Sequence, residues 1–222
     1  MTRFHTVLLA FLLMFQGIAH AAAGGQDSTF QAEGRYEAVA PAQPTQDPGK
    51  VEVLELFWYG CPHCYHFEPY LKQWLEHKPD YVEFVRMPAV FRDSWLPGAR
   101  AYYTAQLLGV LDKMHGAIFD AIHVQHRPMN TKEDFMDLFV SEGVSKEDFN
   151  RAWGSFTVQA RVRRAVTMTR EYGINGVPSV IINGKYRASG SSAGSFENLI
   201  KVIEILAERE HKAMNAVAPK SE

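Results

Sequence analysis

The chain has 222 residues, of which 46% are hydrophobic and 22% are charged. This is ordinary globular composition, with enough apolar material to bury a sizeable core. The net charge is −2 and no polybasic patch stands out, so the charge gives no indication of nucleic-acid binding.

The N-terminal segment has the pattern of a secretory signal peptide. Arg3 is the only charged residue before Asp27, residues 7–15 are apolar, and small residues follow at the spacing that signal peptidase prefers. The apolar run is short for a bilayer span. We therefore predict a cleavable signal over residues 1–23 and an exported, soluble mature protein. An uncleaved anchor helix is the alternative.

A polar segment separates this signal from the first strong strand. Residues 24–49 contain a proline-rich stretch that predicts a linker or surface loop, and the RYEAV stretch at 35–39 could be a short strand. Residues 51–58, VEVLELFW, have strand-like composition and are bounded by glycines. A second strand is predicted at residues 81–88.

The segment after Gly60 changes from a strand period to a helix period. Cys61 falls where the N-cap of the helix would be, and Pro62 takes the first helical position, where its missing N–H is tolerated. Pro69 predicts a kink, because it cannot donate a backbone hydrogen bond. The apolar stripe of the predicted helix consists of Phe67, Tyr70, Leu71, Trp74 and Leu75.

Helical patterns dominate residues 96–164. Four follow one another, and the third and fourth begin at Thr131 and Ser145, each followed three residues later by an acid that can complete the cap. A further helix is predicted over residues 156–172, with a stop at Gly173.

The C-terminal part predicts a hairpin and a final helix. Residues 177–184 have a strand pattern that ends in an Asn-Gly turn, residues 185–190 return, and Ser195 can cap the last helix. The element order predicts an α/β core interrupted by an all-helical insertion. The predicted boundaries are 1–23 for the signal peptide, 24–49 for the N-terminal segment and linker, 50–95 and 165–213 for the two parts of the core, 96–164 for the insertion and 214–222 for a C-terminal tail.

Cys61 and Cys64 are the only cysteines, and their spacing leaves three uses to weigh. As a structural disulfide they would close a very short loop, which removes little entropy from the unfolded chain. As zinc ligands together with His63 and His66, they lack the second Cys pair of the usual structural site. We predict no metal site, and redox exchange is the use that these arguments favour.

The predicted helix start distinguishes the two sulfurs. Free N–H groups and the partial positive charge at a helix N-terminus lower the pKa of a cysteine placed there. Cys61 is therefore predicted to be the exposed nucleophile, and Cys64, one turn further, the buried resolving thiol. His63 adds a donor that favours the thiolate of Cys61, which makes the disulfide more oxidising.

Glu55 and Pro178 each permit an ordinary and a functional interpretation. The residues alone favour an exposed edge-strand position for Glu55, whereas a buried acid there could exchange a proton with Cys64. They also favour a trans bond before Pro178, because X-Pro bonds in folded proteins are mostly trans. A loose group of histidines is interpreted as surface helix residues: His115, His123 and His126.

Two motifs and the helices between them form a pattern across residues 34–212. The motifs are VLELFWYGCPHCYHFEP, which includes Pro69 of the first helix, and INGVPSVIINGKY. This pattern resembles the DsbA family of bacterial periplasmic thiol:disulfide oxidoreductases. The resemblance implies a thioredoxin fold with an inserted all-helical domain.

The resemblance also implies roles for individual residues. Cys61 is the nucleophile and Cys64 the resolving thiol, Pro62 and His63 tune the couple, and Glu55 is a buried proton-handling acid. Pro178 is cis and lies against the disulfide, and the backbone of Val177 pairs with an extended substrate chain.

The implied function is oxidation of reduced, unfolded exported polypeptides in the periplasm, with reoxidation by a DsbB-like membrane quinone reductase. We predict a monomer that needs no cofactor beyond the redox-active disulfide. A disulfide isomerase or reductase of related fold and a non-catalytic peptide-binding chaperone are the alternatives. Two positions depart from the family pattern: Gly60 replaces a bulkier residue, and the family's lysine near Glu55 aligns at Pro79, which leaves a pairing of Lys78 with Glu55 open.

Overall fold

The structure, a computed structural model, describes residues 30–217. The predicted signal peptide at residues 1–23 lies outside this range. Within the described range, no helix is both long enough and apolar enough to cross a bilayer.

The strands of the described residues form one mixed sheet: β1 (Glu37–Ala38), β2 (Val51–Phe57), β3 (Val82–Pro88), β4 (Ser179–Ile182) and β5 (Tyr186–Ser189). Their order across the sheet is β1-β5-β4-β2-β3. The β2–β3 pair is parallel and the other pairs are antiparallel. Strand β2 lies between β3 and β4, and all of its residues are buried.

The turn between β4 and β5 follows the predicted Asn-Gly signal. Asn183 and Gly184 both have positive φ, at 50° and 66°, which is the backbone of a type I′ hairpin turn. Glycine is required at the second position, because a Cβ on Gly184 would lie 2.0 Å from the carbonyl oxygen of Gln43.

Eight α-helices surround the sheet within residues 30–217: α1 (Pro62–Leu75), α2 (Leu96–Leu107), α3 (Leu111–His123), α4 (Lys132–Ser141), α5 (Lys146–Trp153), α6 (Phe156–Glu171), α7 (Gly190–Ala193) and α8 (Phe196–Val217). The predicted caps are present, since the side chains of Thr131, Ser145 and Ser195 accept backbone N–H groups at the starts of α4, α5 and α8. The short helix α7 was not predicted. Helix α1 continues past Pro69 to Leu75.

The helical insertion packs directly on the sheet. The ring of Phe57, at the end of β2, lies 5.5 Å from Tyr102 of α2 and 6.0 Å from Phe119 of α3. These residues belong to one hydrophobic cluster that continues through the insertion. The predicted boundary after residue 164 falls inside α6, and α8 extends into the predicted tail. The division of the chain into domains stays a prediction.

Candidate active site

The two cysteines lie at the N-terminus of α1. Cys61 is the N-cap residue, with an extended backbone at φ −91° and ψ 117°, and Pro62 opens the first turn. The Cys61 carbonyl accepts the N–H groups of Cys64 and Tyr65 at 3.1 and 3.2 Å. Both sulfurs are free thiols. The helix dipole therefore acts on Cys61, as the sequence predicted.

The predicted exposure of Cys61 is wrong in degree. The residue is only 9% exposed, whereas Cys64 is 0% exposed. The loop before β4 covers the helix start, and in its protonated form the Cys61 thiol donates to the carbonyl oxygen of Val177 at 3.4 Å. The small accessible surface still belongs to Cys61, so an attacking group can reach this sulfur but not the buried one.

The two thiols have opposite pKa shifts. The hydrogen bond from the Cys64 thiol lowers the pKa of Cys61 to about 6 against the effect of burial, with further help from backbone N–H groups and the charge of His63. Burial raises the pKa of Cys64 well above its usual range, and its interactions with Cys61 and Glu55 raise it further. At neutral pH the pair therefore holds one thiolate, on Cys61, and one thiol, on Cys64.

The loop over the thiols carries the proline of the second motif. The Val177–Pro178 bond is cis, so the cis geometry implied by the resemblance is confirmed and the trans bond favoured by the residues alone is wrong. A groove of about 500 Å³ opens beside this loop. Its walls include His63, Tyr70, Gly176, Val177, Pro178 and Phe196.

Glu55 is fully buried on an interior strand, so the exposed edge-strand position favoured by the residues alone is wrong. Its Oε2 atom accepts the Nε–H of Arg86 at 2.9 Å. Lys78 donates instead to the carbonyl of Val82 at 2.8 Å. Arg86, rather than Lys78, is therefore the cationic partner of Glu55.

Burial dominates the titration of Glu55. It raises the pKa of this carboxyl group to about 8, although the positive charge of Arg86 acts in the opposite direction. The negative charge of Glu68 raises the pKa further. The Glu55 Oε1 atom is buried without a hydrogen-bond partner among residues 30–217. Glu55 can therefore hold a proton at neutral pH, close enough to Cys64 to influence its ionisation.

Sequence reasoning missed the rest of this buried cluster. Arg86 also contacts Glu68 of α1, and Glu68 contacts His115 of α3, each at 3.1 Å. The interpretation of His115 as a surface residue is wrong, because it is 7% exposed. Its spacing from Leu111, Ile118 and Phe119 places it on the apolar stripe of α3, and this signal could have indicated burial.

The described part of the chain holds no group of three or more His, Cys, Asp or Glu side chains that could bind a metal ion. His63 of the CPHC motif and His66, two residues after it, are both exposed on α1.

The family model for the DSBA-like thioredoxin domain matches residues 52–203. The chain belongs to the DsbA-like thioredoxin family. Among curated relatives in this family, the thiol:disulfide interchange protein DsbA of Pseudomonas aeruginosa is 38% identical over 207 residues, covering 93% of this chain and 97% of the relative. The DsbA of Azotobacter vinelandii is 42% identical over 179 residues, covering 81% and 84%.

Solved DsbA structures have the same fold as this chain. The crystal structure of Pseudomonas aeruginosa DsbA superposes with a TM-score of 0.79 at 39% identity, covering 84% of this chain and 97% of that one. The oxidoreductase DsbA from Xylella fastidiosa gives a TM-score of 0.75 at 31% identity, covering 80% and 96%. The predicted thioredoxin fold with an inserted helical domain is confirmed.

Proposed function

We propose that the chain is a thiol:disulfide oxidoreductase that introduces disulfides into exported proteins through a Cys61–Cys64 couple. One observation carries this proposal. A cysteine with a pKa lowered to about 6 caps a helix, and its partner three residues on is buried with a raised pKa. Such a pair stabilises the reduced form and so makes the disulfide a strong oxidant. Membership of the DsbA-like family favours this activity over an isomerase or a chaperone.

The exchange proceeds in two sulfur-transfer steps. In the disulfide form, a substrate thiolate attacks the Cys61 sulfur, the bond between the two enzyme sulfurs breaks, and Cys64 leaves as a thiolate. The second substrate thiolate then attacks the substrate sulfur of the mixed disulfide. Cys61 leaves as a stable thiolate, and the substrate departs with a new disulfide. The couple itself takes up the two electrons, so the proposal needs neither an organic cofactor nor a metal.

Glu55 is proposed as the proton partner of Cys64. A thiolate that leaves at a buried site is unstable until it gains a proton, and the raised pKa of Cys64 expresses this. Glu55 carries a proton at neutral pH and can pass it to the sulfur. When the enzyme is reoxidised, the carboxylate takes the proton back.

The groove beside the cis proline is proposed as the binding site for the substrate chain. Val177 lies next to Cys61, and its backbone can pair with an extended peptide whose cysteine then meets the reactive sulfur. Pro62 and His63 form the adjoining edge of the helix start. The apolar rings of Tyr70 and Phe196, whose centroids are 5.6 Å apart, supply a surface for neighbouring substrate side chains.

The proposed setting is the periplasm, with the protein acting as a monomer on reduced, unfolded exported polypeptides. Reoxidation is proposed to come from a DsbB-like membrane quinone reductase. The signal-like residues 1–23 and the family assignment support this setting. No nucleic-acid partner is proposed.

The activity is tested with a reduced peptide that carries two cysteines. Cys61→Ala should abolish its oxidation by the enzyme. The reduced Cys64→Ala variant, given oxidised glutathione, should release one glutathione and accumulate a mixed disulfide through Cys61, visible by mass spectrometry. The equilibrium of the wild-type couple with glutathione should be strongly oxidising. Dithiol oxidation by Cys61→Ala, or a reducing couple, would contradict the proposal.

The role of Glu55 is tested separately by the pH dependence of exchange. Glu55→Gln should change the pH profile of the reaction between the reduced enzyme and oxidised glutathione. Glu52→Gln is the matched control, because Glu52 is also a buried glutamate of β2 but accepts from the backbone of Gln46 at 3.0 Å, away from the sulfurs. An unchanged profile in Glu55→Gln would return this residue to a structural role.

A further inference from the structure

A continuous chain of hydrogen bonds leads away from Glu55. It passes through Arg86, Glu68 and His115 to the hydroxyl of Tyr59, with distances of 2.9, 3.1, 3.1 and 3.0 Å. The chain contains one permanent cation and two carboxyl groups that share it. A single, partly buried cation balances only one carboxylate, so a proton on the other carboxyl group lowers the energy of the cluster.

The donors and acceptors determine the tautomer of His115. A carboxylate at Glu68 can only accept, so the Nε2 atom of His115 carries the hydrogen. In the neutral imidazole, Nδ1 is then an acceptor and takes the hydroxyl hydrogen of Tyr59. Burial lowers the pKa of His115 and raises that of Tyr59. Both groups therefore stay neutral at neutral pH and keep these directions.

Aromatic packing holds the His115 ring in place. Its centroid lies 5.1 Å from those of Phe57 and Phe119, in edge-to-face contacts at 82° and 83°. Because Tyr59 stands only two residues before Cys61, the ring also ties the helix start to α3. The imidazole has one orientation in which both nitrogens are satisfied, and its N–H points at Glu68.

We infer that His115 is a positioning residue for proton transfer at Cys64. By donating to Glu68, it holds that carboxyl group ionised, and the exchangeable proton of the cluster stays on Glu55. The unpartnered Oε1 of Glu55 is the atom that carries this proton. The inference rests on the proposed role of Glu55 as the proton partner of Cys64.

Among the groups around His115, Glu68 is the one whose ionisation depends on the imidazole. The groups that face the ring are Tyr59, Glu68 of α1, Arg86 of β3 and Tyr102 of α2. Asp112, on the same helix as His115, lines a surface cavity together with it. Arg86 keeps its charge, and burial raises the pKa of Tyr102, so this phenol stays neutral. Only Glu68 receives the Nε2 hydrogen bond.

The surroundings of Glu55 lead to the same pair of carboxyl groups. Arg86 and Glu68 act on it directly, and the ionisation of Cys64, Tyr59 and Tyr102 is coupled to its charge. Of these groups, Glu68 is the one that can exchange the role of proton carrier with Glu55, because both carboxyl groups contact the guanidinium of Arg86.

The test follows the titration of Glu55 by carbon-13 NMR of glutamate carboxyl groups in the reduced full chain, with Glu55→Gln identifying the signal. His115→Phe removes both hydrogen bonds and keeps an aromatic ring. Glu68, partly buried and now without its donor, should then take up the proton, and Arg86 then stabilises the carboxylate of Glu55. We expect the midpoint of Glu55 to fall by about one pH unit or more, and the pH profile of exchange to move with it.

Further variants separate positioning from a general loss of packing. His115→Gln retains a donor for Glu68 and should restore the parent midpoint. His123→Phe is the matched control, because His123 also lies on α3 and contacts Tyr59 but not Glu68. Its Nε2 atom lies 2.8 Å from the carbonyl oxygen of Tyr59. In a Glu68→Gln background, His115→Phe should leave the Glu55 midpoint where Glu68→Gln alone puts it. His115→Asn, too short to reach both partners, replaces the Phe variant if that variant does not fold.

The inference is overturned if removing the His115 donor leaves the Glu55 midpoint unchanged, or if it produces the same shift in the Glu68→Gln background. A shift in His123→Phe equal to that in His115→Phe would also overturn it. Failure of the proposed role of Glu55 gives a different result from failure of this inference. In that case Glu55→Gln would leave the pH profile of exchange unchanged, whereas the NMR midpoints would still show which carboxyl group of the cluster holds the proton.

Discussion

Arg86 lies directly opposite Glu55 in the parallel register of β2 and β3, and its guanidinium also reaches Glu68 on α1. The Nε atom donates to Glu55 and the terminal nitrogen to Glu68, over 2.9 and 3.1 Å. One cation from the sheet therefore serves two carboxyl groups that come from different elements.

Replacing Arg86 with methionine should strongly destabilise the protein. The substitution leaves the fully buried carboxyl group of Glu55 and the partly buried one of Glu68 without a cation. Breaking a buried pair by removing one partner costs about 3 kcal/mol or more. Urea denaturation at neutral pH measures the loss. Arg86→Lys should recover only part of it, because a point charge cannot present the two-sided contact of a guanidinium.

The control for Arg86 is an ion pair at the surface. Lys113→Met removes the contact of Lys113 with Glu142, in which the two side chains are 59% and 30% exposed. Such pairs contribute little, so the free energy of unfolding should change by less than about 1 kcal/mol. Equal losses in the Arg86 and Lys113 variants would contradict a buried, shared cation.

Glu55→Gln should change how stability depends on pH. The pKa of Glu55 is about 8 in the folded protein against an ordinary value of 4.5, so the folded state binds the proton more tightly. This contribution is fully present below the ordinary pKa and is lost as the pH rises through about 8. The glutamine does not titrate. The free energy of unfolding of Glu55→Gln, relative to that of the parent, should therefore rise across that pH window, by on the order of 1 kcal/mol or more.

Urea denaturation of the parent and of Glu55→Gln at a series of pH values between 4.5 and about 8 checks this prediction. The informative quantity is the difference in the free energy of unfolding, since other groups titrate equally in the two proteins. Parallel curves would mean that Glu55 has the same affinity for protons in the folded and unfolded chains.

The reduced enzyme should show a thiolate titration with a midpoint of about 6, followed by ultraviolet absorbance of the Cys61 sulfur. Cys64→Ala removes the largest stabilising contact and should raise the midpoint clearly. His63→Leu should raise it less, because His63 is exposed and its charge is the smallest of the resolved causes. A weaker thiolate also makes the couple less oxidising.

His66→Leu is the control for His63, since His66 is an exposed histidine of the same helix that does not contribute to the shift of Cys61. It should leave the midpoint unchanged. If His63→Leu lowers the midpoint, or if the two histidine variants behave alike, the tuning role of His63 is wrong.

Gly60→Ala should disturb the approach to the active site. A Cβ at this position would lie 2.3 Å from the indole of Trp58, which stacks on Trp95 with ring centroids 4.2 Å apart. Gly60 is thus needed to let the indole fold over the chain. We expect a loss of about 1–3 kcal/mol in unfolding free energy and slower exchange at the adjacent cysteine.

Gly116→Ala provides the contrast, because a Cβ there meets nothing within 4 Å on the exposed side of α3. Alanine favours helices over glycine, so this variant should be as stable as the parent or up to about 1 kcal/mol more stable. Removing the clash in Trp58→Ala/Gly60→Ala should recover part of the loss. A Gly60→Ala protein as stable and active as the parent would show that the indole can move freely.

Features that depend on neighbouring residues could be predicted from the sequence alone. Cys61 and Pro62 define a helix start, Thr131 and Ser145 cap their helices, and Asn183–Gly184 makes the hairpin turn. These structures depend on backbone dihedral preferences and on hydrogen bonds that span a few residues. The CPHC and GVP motifs, in their order and spacing, were enough to indicate the family.

Which distant residues meet could not be predicted from the sequence, because it depends on how the elements pack. Arg86 pairs with Glu55 across 31 positions, and Val177 covers Cys61 across 116. The first contact follows from strand register, which a shift of one residue would reverse, and the second from how the loop before β4 packs on the helix. The apolar stripe of α3 could have indicated the burial of His115, but not its contacts with Phe57 and Glu68, which other elements bring to α3.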